Sequence, residues 1–241
     1  MKNKKTLILS TLLCLLPILL GLALYEKLPE QVPIHFDFAG NPDNYASKLF
    51  AVFGLPLFMA LINFICHWAM SREKKAMAAT PAVLLAVTGW MIPILCNILM
   101  PITLFMGMGI EVPITLVVSL IVGLTFVIIG NYLPKVKPNR YMGIKLPWTF
   151  ASEENWRRTH RFGGFVWVVA GVCTILAGIF GLDWLLLIAL VASILLPTVY
   201  SWRLSRKNKC MKPVRFQRTG FLSSQECYFL PVFGVFKWIL F

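Results

Sequence analysis

At 241 residues, with 58% of them hydrophobic and only 14% charged, the chain lies well outside the globular norm of about 45–50% apolar and about 25% charged. That composition excludes an ordinary soluble domain and counts the length in membrane spans of about 20 residues, each crossing about 30 Å of hydrocarbon. The net charge of +13 would suit nucleic acid as well as a membrane surface, so the position of each charge has to decide.

Six apolar stretches are long enough to span: 6–25, 49–70, 82–105, 112–133, 162–182 and 184–202. The predicted fold class is all-α, a polytopic membrane protein of about six transmembrane helices. In hydrocarbon every backbone N–H and C=O must be satisfied within its own segment, and the alternating pattern of a barrel strand is absent. Lys and Arg number three before the first span, then two, three, none, seven and none in the successive connections, and eight in the tail. This alternation places both termini and the second and fourth loops in the cytoplasm, with 21 of the 23 basic residues, by the positive-inside rule. The charge is thereby assigned to the bilayer, and no direct nucleic acid partner is expected.

In chain order, Lys2, Lys4 and Lys5 precede an apolar run of about twenty residues that lacks a small-x-small cleavage site, so it is expected to remain as an anchor. Leu13 before Cys14 argues against acylation there. In the outer loop 26–48, Pro29, Pro33, Gly40 and Pro42 supply turn chemistry, and a turn is expected over 41–44. The alternation of Val32, Ile34, Phe36 and Phe38 predicts a short extended piece lying on the membrane surface or the helix ends. Its acids Glu26, Glu30, Asp37 and Asp43 outnumber Lys27 and Lys48. Pro17, Pro56, Pro93, Pro101 and Pro197 fall inside spans, where membrane helices tolerate them. Span three, with Pro93, Asn97 and Pro101, is the most perturbed, a packing kink or a place where the bundle opens. Gly123 and Gly130 on span four, and Gly164, Gly171 and Gly178 on span five, recur every seven residues and predict close backbone approach. Spans five and six, joined only by 181–183, form a tight antiparallel hairpin.

The segment 130–164 is a long polar connection that holds seven basic residues, two Trp, a His and three Pro. Pro134 and Pro138 stiffen the exit from span four, 139–143 reads as a turn, and Ser152 with Glu153 and Glu154 starts a helix that runs on into span five. Trp156, His160, Gly163 and Trp167 then share one stripe. Two readings stand side by side. The loop is a docking surface for a cytoplasmic partner, rimmed by Arg157, Arg158 and Arg161, or it is a basic and aromatic belt that holds helix ends at the headgroups.

Catalytic chemistry finds little support. His35 with Asp37, and His160 with Glu153 or Glu154, are the acid/base or ligand groupings, and no HExxH, GxSxG or CxxC arrangement backs them. The six cysteines form no CxxC pair, and no Gly-rich phosphate loop occurs. No catalytic, metal-binding or cofactor-binding residue is assigned, and no disulfide framework or cofactor is expected. A small-molecule transporter or permease-like protein is the alternative. Coupled carriers commonly place ionisable groups within the membrane, whereas Asn63 and Asn97 are the deepest strongly polar residues here and no Asp, Glu, Lys or Arg lies near the middle of a span.

The outer loop carries Leu28, Pro29, Pro33, His35, Gly40 and Asp43, closing with Ser47 and Lys48. The inner loop carries Gly130 and Asn131, then Pro138, Asn139, Gly143, Ile144, Lys145, Pro147, Trp148 and Thr149, then Ser152, Trp156, Thr159, His160 and Gly164. In these residues the chain resembles the SdpI family, the sporulation-delay immunity proteins, together with the small membrane domain of unknown function that often precedes it. The patterns frame about residues 6–202, and Lys145 stands where the family more often shows Arg, which keeps charge but loses a planar fork. The resemblance implies an N-terminal membrane domain over 1–105, an immunity-family domain over 106–209 with its cytoplasmic loop at 134–161, and an atypical basic and apolar tail over 210–241. It implies a multi-pass protein of the cell membrane in a Gram-positive-type bacterium, giving immunity to a secreted, membrane-active peptide toxin. In the family's best-known setting such a protein also holds a DNA-binding repressor at the membrane. On that view Asn139, Gly143, Lys145, Pro147, Trp148, Trp156, Arg157 and His160 are the candidate partner-binding residues, and Pro29, Pro33, His35, Gly40 and Asp43 form the motif on the toxin side.

Overall fold

A computed structural model of the chain describes residues 2–37, 39–72, 78, 80–139 and 142–207; the tail expected over 210–241 lies outside them. In order, helix α1 (Lys2–Leu24) leads through a 3-10 turn (Tyr25–Lys27) into strands β1 (Gln31–Phe36) and β2 (Pro42–Ser47). A π-helical turn (Phe50–Gly54) opens α2 (Leu55–Arg72), and α3 (Ala82–Gly107) and α4 (Ile114–Tyr132) follow. A 3-10 turn (Leu133–Lys135), the short α5 (Pro147–Ala151), α6 (Glu153–Phe180) and α7 (Asp183–Lys207) complete the described chain. Among the described residues six helices are long and apolar enough to cross a membrane, and large apolar side chains such as Leu12, Leu19, Leu187 and Ile188 stand exposed on them, as lipid-facing surface requires. The chain is a helical, multi-pass membrane protein.

Helix α6 starts where its capping chemistry predicts. The Ser152 hydroxyl accepts from the Asn155 N–H at 3.2 Å, and Glu153 and Glu154 occupy the first turn, where the helix dipole favours acids. At 28 residues and about 1.5 Å of rise each, α6 is about 42 Å long, so it outruns about 30 Å of hydrocarbon. Its first turns stand clear of the span. It ends at Gly181, whose φ of 64° takes the left-handed cap, and α7 begins two residues later.

The glycine stripes are the contact between α4 and α6. A Cβ on Gly123 would lie 2.6 Å from the Gly171 carbonyl oxygen, and one on Gly130 2.7 Å from that of Gly164. The two backbones touch at two heights, a packing only glycine permits in lipid.

Three of the prolines inside helices, Pro17, Pro93 and Pro197, are joints between helices. A proline has no N–H, so the carbonyl four residues earlier loses its partner, and unanswered backbone groups are costly in hydrocarbon. Pro17 frees the Leu13 carbonyl, to which Asn97 Nδ2 donates at 2.8 Å. Pro93 frees that of Gly89, which His67 Nε2 reaches at 3.1 Å, and Pro197 frees that of Ser193, taken by the Trp167 indole N–H at 3.0 Å. Asn97 of span three also donates to the Pro93 carbonyl at 2.8 Å. Asn63 ties α2 to α1 through Ser10 Oγ at 2.9 Å and Thr11 Oγ1 at 3.0 Å.

The outer loop corrects one expectation. The turn lies over 37–41, not 41–44: Asp37 N–H donates to the Asn41 carbonyl at 2.9 Å, Gly40 N–H to that of Asp37 at 3.0 Å, and Gly40 takes φ 88°. Residues 42–47 are instead strand β2, antiparallel to β1 with Gln31 opposite Ser47 and Val32 opposite Ala46. The expected extended piece is β1 through Phe36; its last member, Phe38, lies outside the described residues. Strand β2 is polar and largely exposed, so it never alternates and gives no strand signal. Val32 and Leu28 anchor the hairpin, packing with Ala51, Val52 and Leu104, each contributing about 2 kcal/mol of burial. Its tip at Gly40 rests on Ile114 and Thr115 at the start of α4.

Candidate functional site

The long connection between α4 and α6 is a folded unit built on the first turns of α6. Trp156 is 2% exposed. Its ring stacks on that of His160 with centroids 4.0 Å apart, lies 5.6 Å from that of Phe150, and donates its indole N–H to the Val136 carbonyl at 2.9 Å. His160 is fully buried. Its Nδ1–H donates to the Trp156 carbonyl at 2.8 Å while Nε2 accepts from the Ile144 N–H at 2.9 Å. One donor and one acceptor fix the neutral tautomer.

Gly143 lies flat on this stack with φ 112°, and a Cβ there would run into His160 Nε2 and come within 2.9 Å of Trp156. Asn139 closes the turn before it, Oδ1 accepting from the Met142 N–H at 2.7 Å and Nδ2 donating to the Lys137 carbonyl at 2.8 Å. Thr149 accepts from the Leu146 N–H at 2.9 Å, which sets the start of α5. Asn155 then binds the unit to α7, donating to the Ser201 carbonyl at 3.0 Å and accepting from the hydroxyls of Ser201 at 2.7 Å and Thr159 at 2.8 Å. Asn155 and Ser201 were not singled out from the sequence, because a helical amide and a distant serine carry no mark of their meeting.

The candidates divide by burial. Asn139, Trp156 and His160 face inward and act through the shape they impose. Pro147 and Arg157 are exposed, with Lys145 and Trp148 half-buried between them. Burial pushes the Lys145 ammonium below its ordinary pKa. The Trp148 indole N–H is buried without a hydrogen-bond partner among the described residues. Arg157 and Arg158 both pair with Glu154 on an exposed face, where such pairs contribute little.

The opposite end carries the hairpin. His35 pairs across the strands with Asp43, Nδ1 to Oδ1 at 2.6 Å, not with Asp37. The Asp37 carboxylate accepts instead from the Asn41 N–H at 2.7 Å, and this bond holds it below the usual carboxylate range. At the base Glu30 reaches Lys48 at 2.8 Å and holds the ammonium above its ordinary pKa. Pro33 is buried against Gly107 and Pro29 is exposed. His160, similarly, meets backbone groups and neither Glu153 nor Glu154.

The model of the SdpI/YfhL protein family matches residues 135–201, the folded loop together with α6 and most of α7. A domain of unknown function (DUF1648) matches residues 12–60, which include the hairpin. The chain is 32% identical over 193 residues to the immunity protein SdpI of Bacillus subtilis (strain 168), covering 80% of this chain and 90% of that protein. The chain belongs to the SdpI family. No solved structure matches it. Both motifs of this SdpI-family chain are now placed: that of residues 28–48 is a surface hairpin, and that of residues 130–164 is the packing of a folded loop.

Proposed function

We propose that this chain is an immunity protein of the cell membrane that protects its bearer from a secreted, membrane-active peptide toxin. The kinship with an immunity protein over 80% of the chain carries the reading. The distribution of Lys and Arg supports cytoplasmic termini, which sets the hairpin on the outer side, where a secreted toxin arrives, and the folded loop in the cytoplasm. The finer proposal is that toxin engagement outside lets the loop's surface, through Pro147, Trp148 and Arg157, hold a cytoplasmic DNA-binding repressor. The buried Trp156 and His160, with Gly143 packed on them, would shape that surface.

Expression in a strain sensitive to the toxin of the Bacillus subtilis relative tests this. The proposal expects raised tolerance; unchanged killing at full protein level contradicts it. For the repressor, Trp148→Ala with Arg157→Ala should release it from the membrane fraction while tolerance persists.

A further inference from the structure

Two polar groups on the folded loop are held at a disadvantage, three residues apart. The Trp148 ring is half-buried, and its indole N–H is buried with no hydrogen-bond partner among the described residues. Its neighbours are treated differently: the indole N–H groups of Trp156 and Trp167 are answered by the Val136 and Ser193 carbonyls. A buried donor left unanswered costs about 1–3 kcal/mol. Lys145 is half-buried too, and partial removal from water is what pushes its pKa down. A carboxylate brought to this place would accept from the indole and stabilise the ammonium together.

The surroundings favour an anion. Between Gly130 and Gly164 seven bases face two acids, and one of those acids, Glu154, is already engaged by Arg157 and Arg158. Lys135, Lys137 and Arg161 stand exposed on the same connection. The level favours a protein over a lipid. Helix α6 is about 42 Å long against about 30 Å of hydrocarbon, and the headgroups add about 5–7 Å on each side. With the turn before Asp183 at the outer boundary, the first turns of α6 reach about 12 Å past the inner one, further than the headgroups extend. Helix α5, which carries Trp148, packs on α6, its Phe150 ring 5.6 Å from that of Trp156. The lipid groups that usually answer an interfacial Trp are therefore out of reach.

We infer that Trp148 and Lys145 receive a carboxylate carried on an acidic segment of a cytoplasmic protein. The acid accepts from the indole N–H and pairs with Lys145, the segment lies over the exposed Pro147, and Lys135, Lys137 and Arg161 steer its approach. The inference rests on the docking reading of this loop and names the chemistry of the face that docks.

Titration of a fluorescent Glu-rich synthetic peptide against the full chain in nanodiscs of neutral phosphatidylcholine tests it, with empty discs and a Lys-rich peptide as blanks. Saturable binding of the Glu-rich peptide is expected, with a downfield move of the Trp148 indole resonance, identified by its loss in Trp148→Phe. Trp148→Phe, which keeps a ring without the donor, and Lys145→Met, which keeps length without charge, should each weaken binding by about tenfold or more, roughly 1.4 kcal/mol. Lys27→Met at the other end should change nothing. Because Trp148→Phe removes an unanswered donor, the free variant should unfold at no lower temperature than the parent chain. Equal affinity of Trp148→Phe and the parent, or an indole resonance that stays in place, overturns the site and leaves a diffuse basic surface. A resonance moved by anionic lipid in the discs, and no further by peptide, overturns it in favour of a headgroup phosphate. Membrane fractionation of the same variants separates the inference from the repressor reading. A repressor still held by both variants sinks the carboxylate site but leaves docking on the loop standing, whereas peptide binding by a chain that holds no repressor sinks the repressor reading alone.

Discussion

The hairpin and the long loop are the two polar parts of an otherwise apolar chain, and they spend their polar residues in opposite ways. In the hairpin the motif side chains His35 and Asp43 pair on the exposed face, while two apolar residues, Leu28 and Val32, secure the base. In the loop Trp156, His160, Asn139 and Thr149 turn inward and answer backbone N–H and C=O groups that have no helix to bond them. The hairpin therefore displays the polar part of its motif while Leu28 and Pro33 stay buried, whereas the loop packs most of its motif inside and leaves Lys145, Pro147 and Trp148 toward its surface. Substitutions should accordingly unfold the loop and merely alter the surface of the hairpin.

The largest effect is expected at Trp156→Ala, which empties the centre of the loop and orphans the Val136 carbonyl, at a cost of about 4 kcal/mol. Thermal unfolding of the purified chain in detergent reads it as a marked drop in Tm. Next comes Gly143→Ala, about 3 kcal/mol from an unfavourable φ combined with overpacking against His160; the same assay checks it, and a wild-type Tm would refute the packing described. His35→Ala, removing an exposed pair, should cost under about 1 kcal/mol and leave Tm nearly unchanged. A loss there as large as at Trp156 would erase the contrast between the two regions.

The membrane part of the fold was legible because hydrocarbon permits so few solutions. Apolar length marked the six helices, Ser152 with Glu153 and Glu154 marked the start of α6, and the seven-residue glycine spacing marked the α4–α6 contact. Strand β2 was illegible because its residues are held by backbone bonds to β1 and bury little, so no periodicity is written into them. The helix joints were hidden for another reason. That Asn97 answers the carbonyl freed by Pro17, or His67 the one freed by Pro93, depends on which helices are neighbours. The loop motif was visible as residues, but its inward orientation follows from Gly143 and Ile144 folding back onto His160, a contact across sixteen positions.

The assignment of the two regions to opposite sides of the membrane is the claim on which the rest depends. Its most direct test is labelling of cysteine-free full-length chains carrying a single new cysteine, Asn44→Cys in the hairpin or Arg157→Cys on the loop, with a membrane-impermeant maleimide on intact cells. The account predicts that the hairpin cysteine is labelled at once and the loop cysteine only after permeabilisation; labelling of the loop cysteine in intact cells, with the hairpin protected, would contradict it.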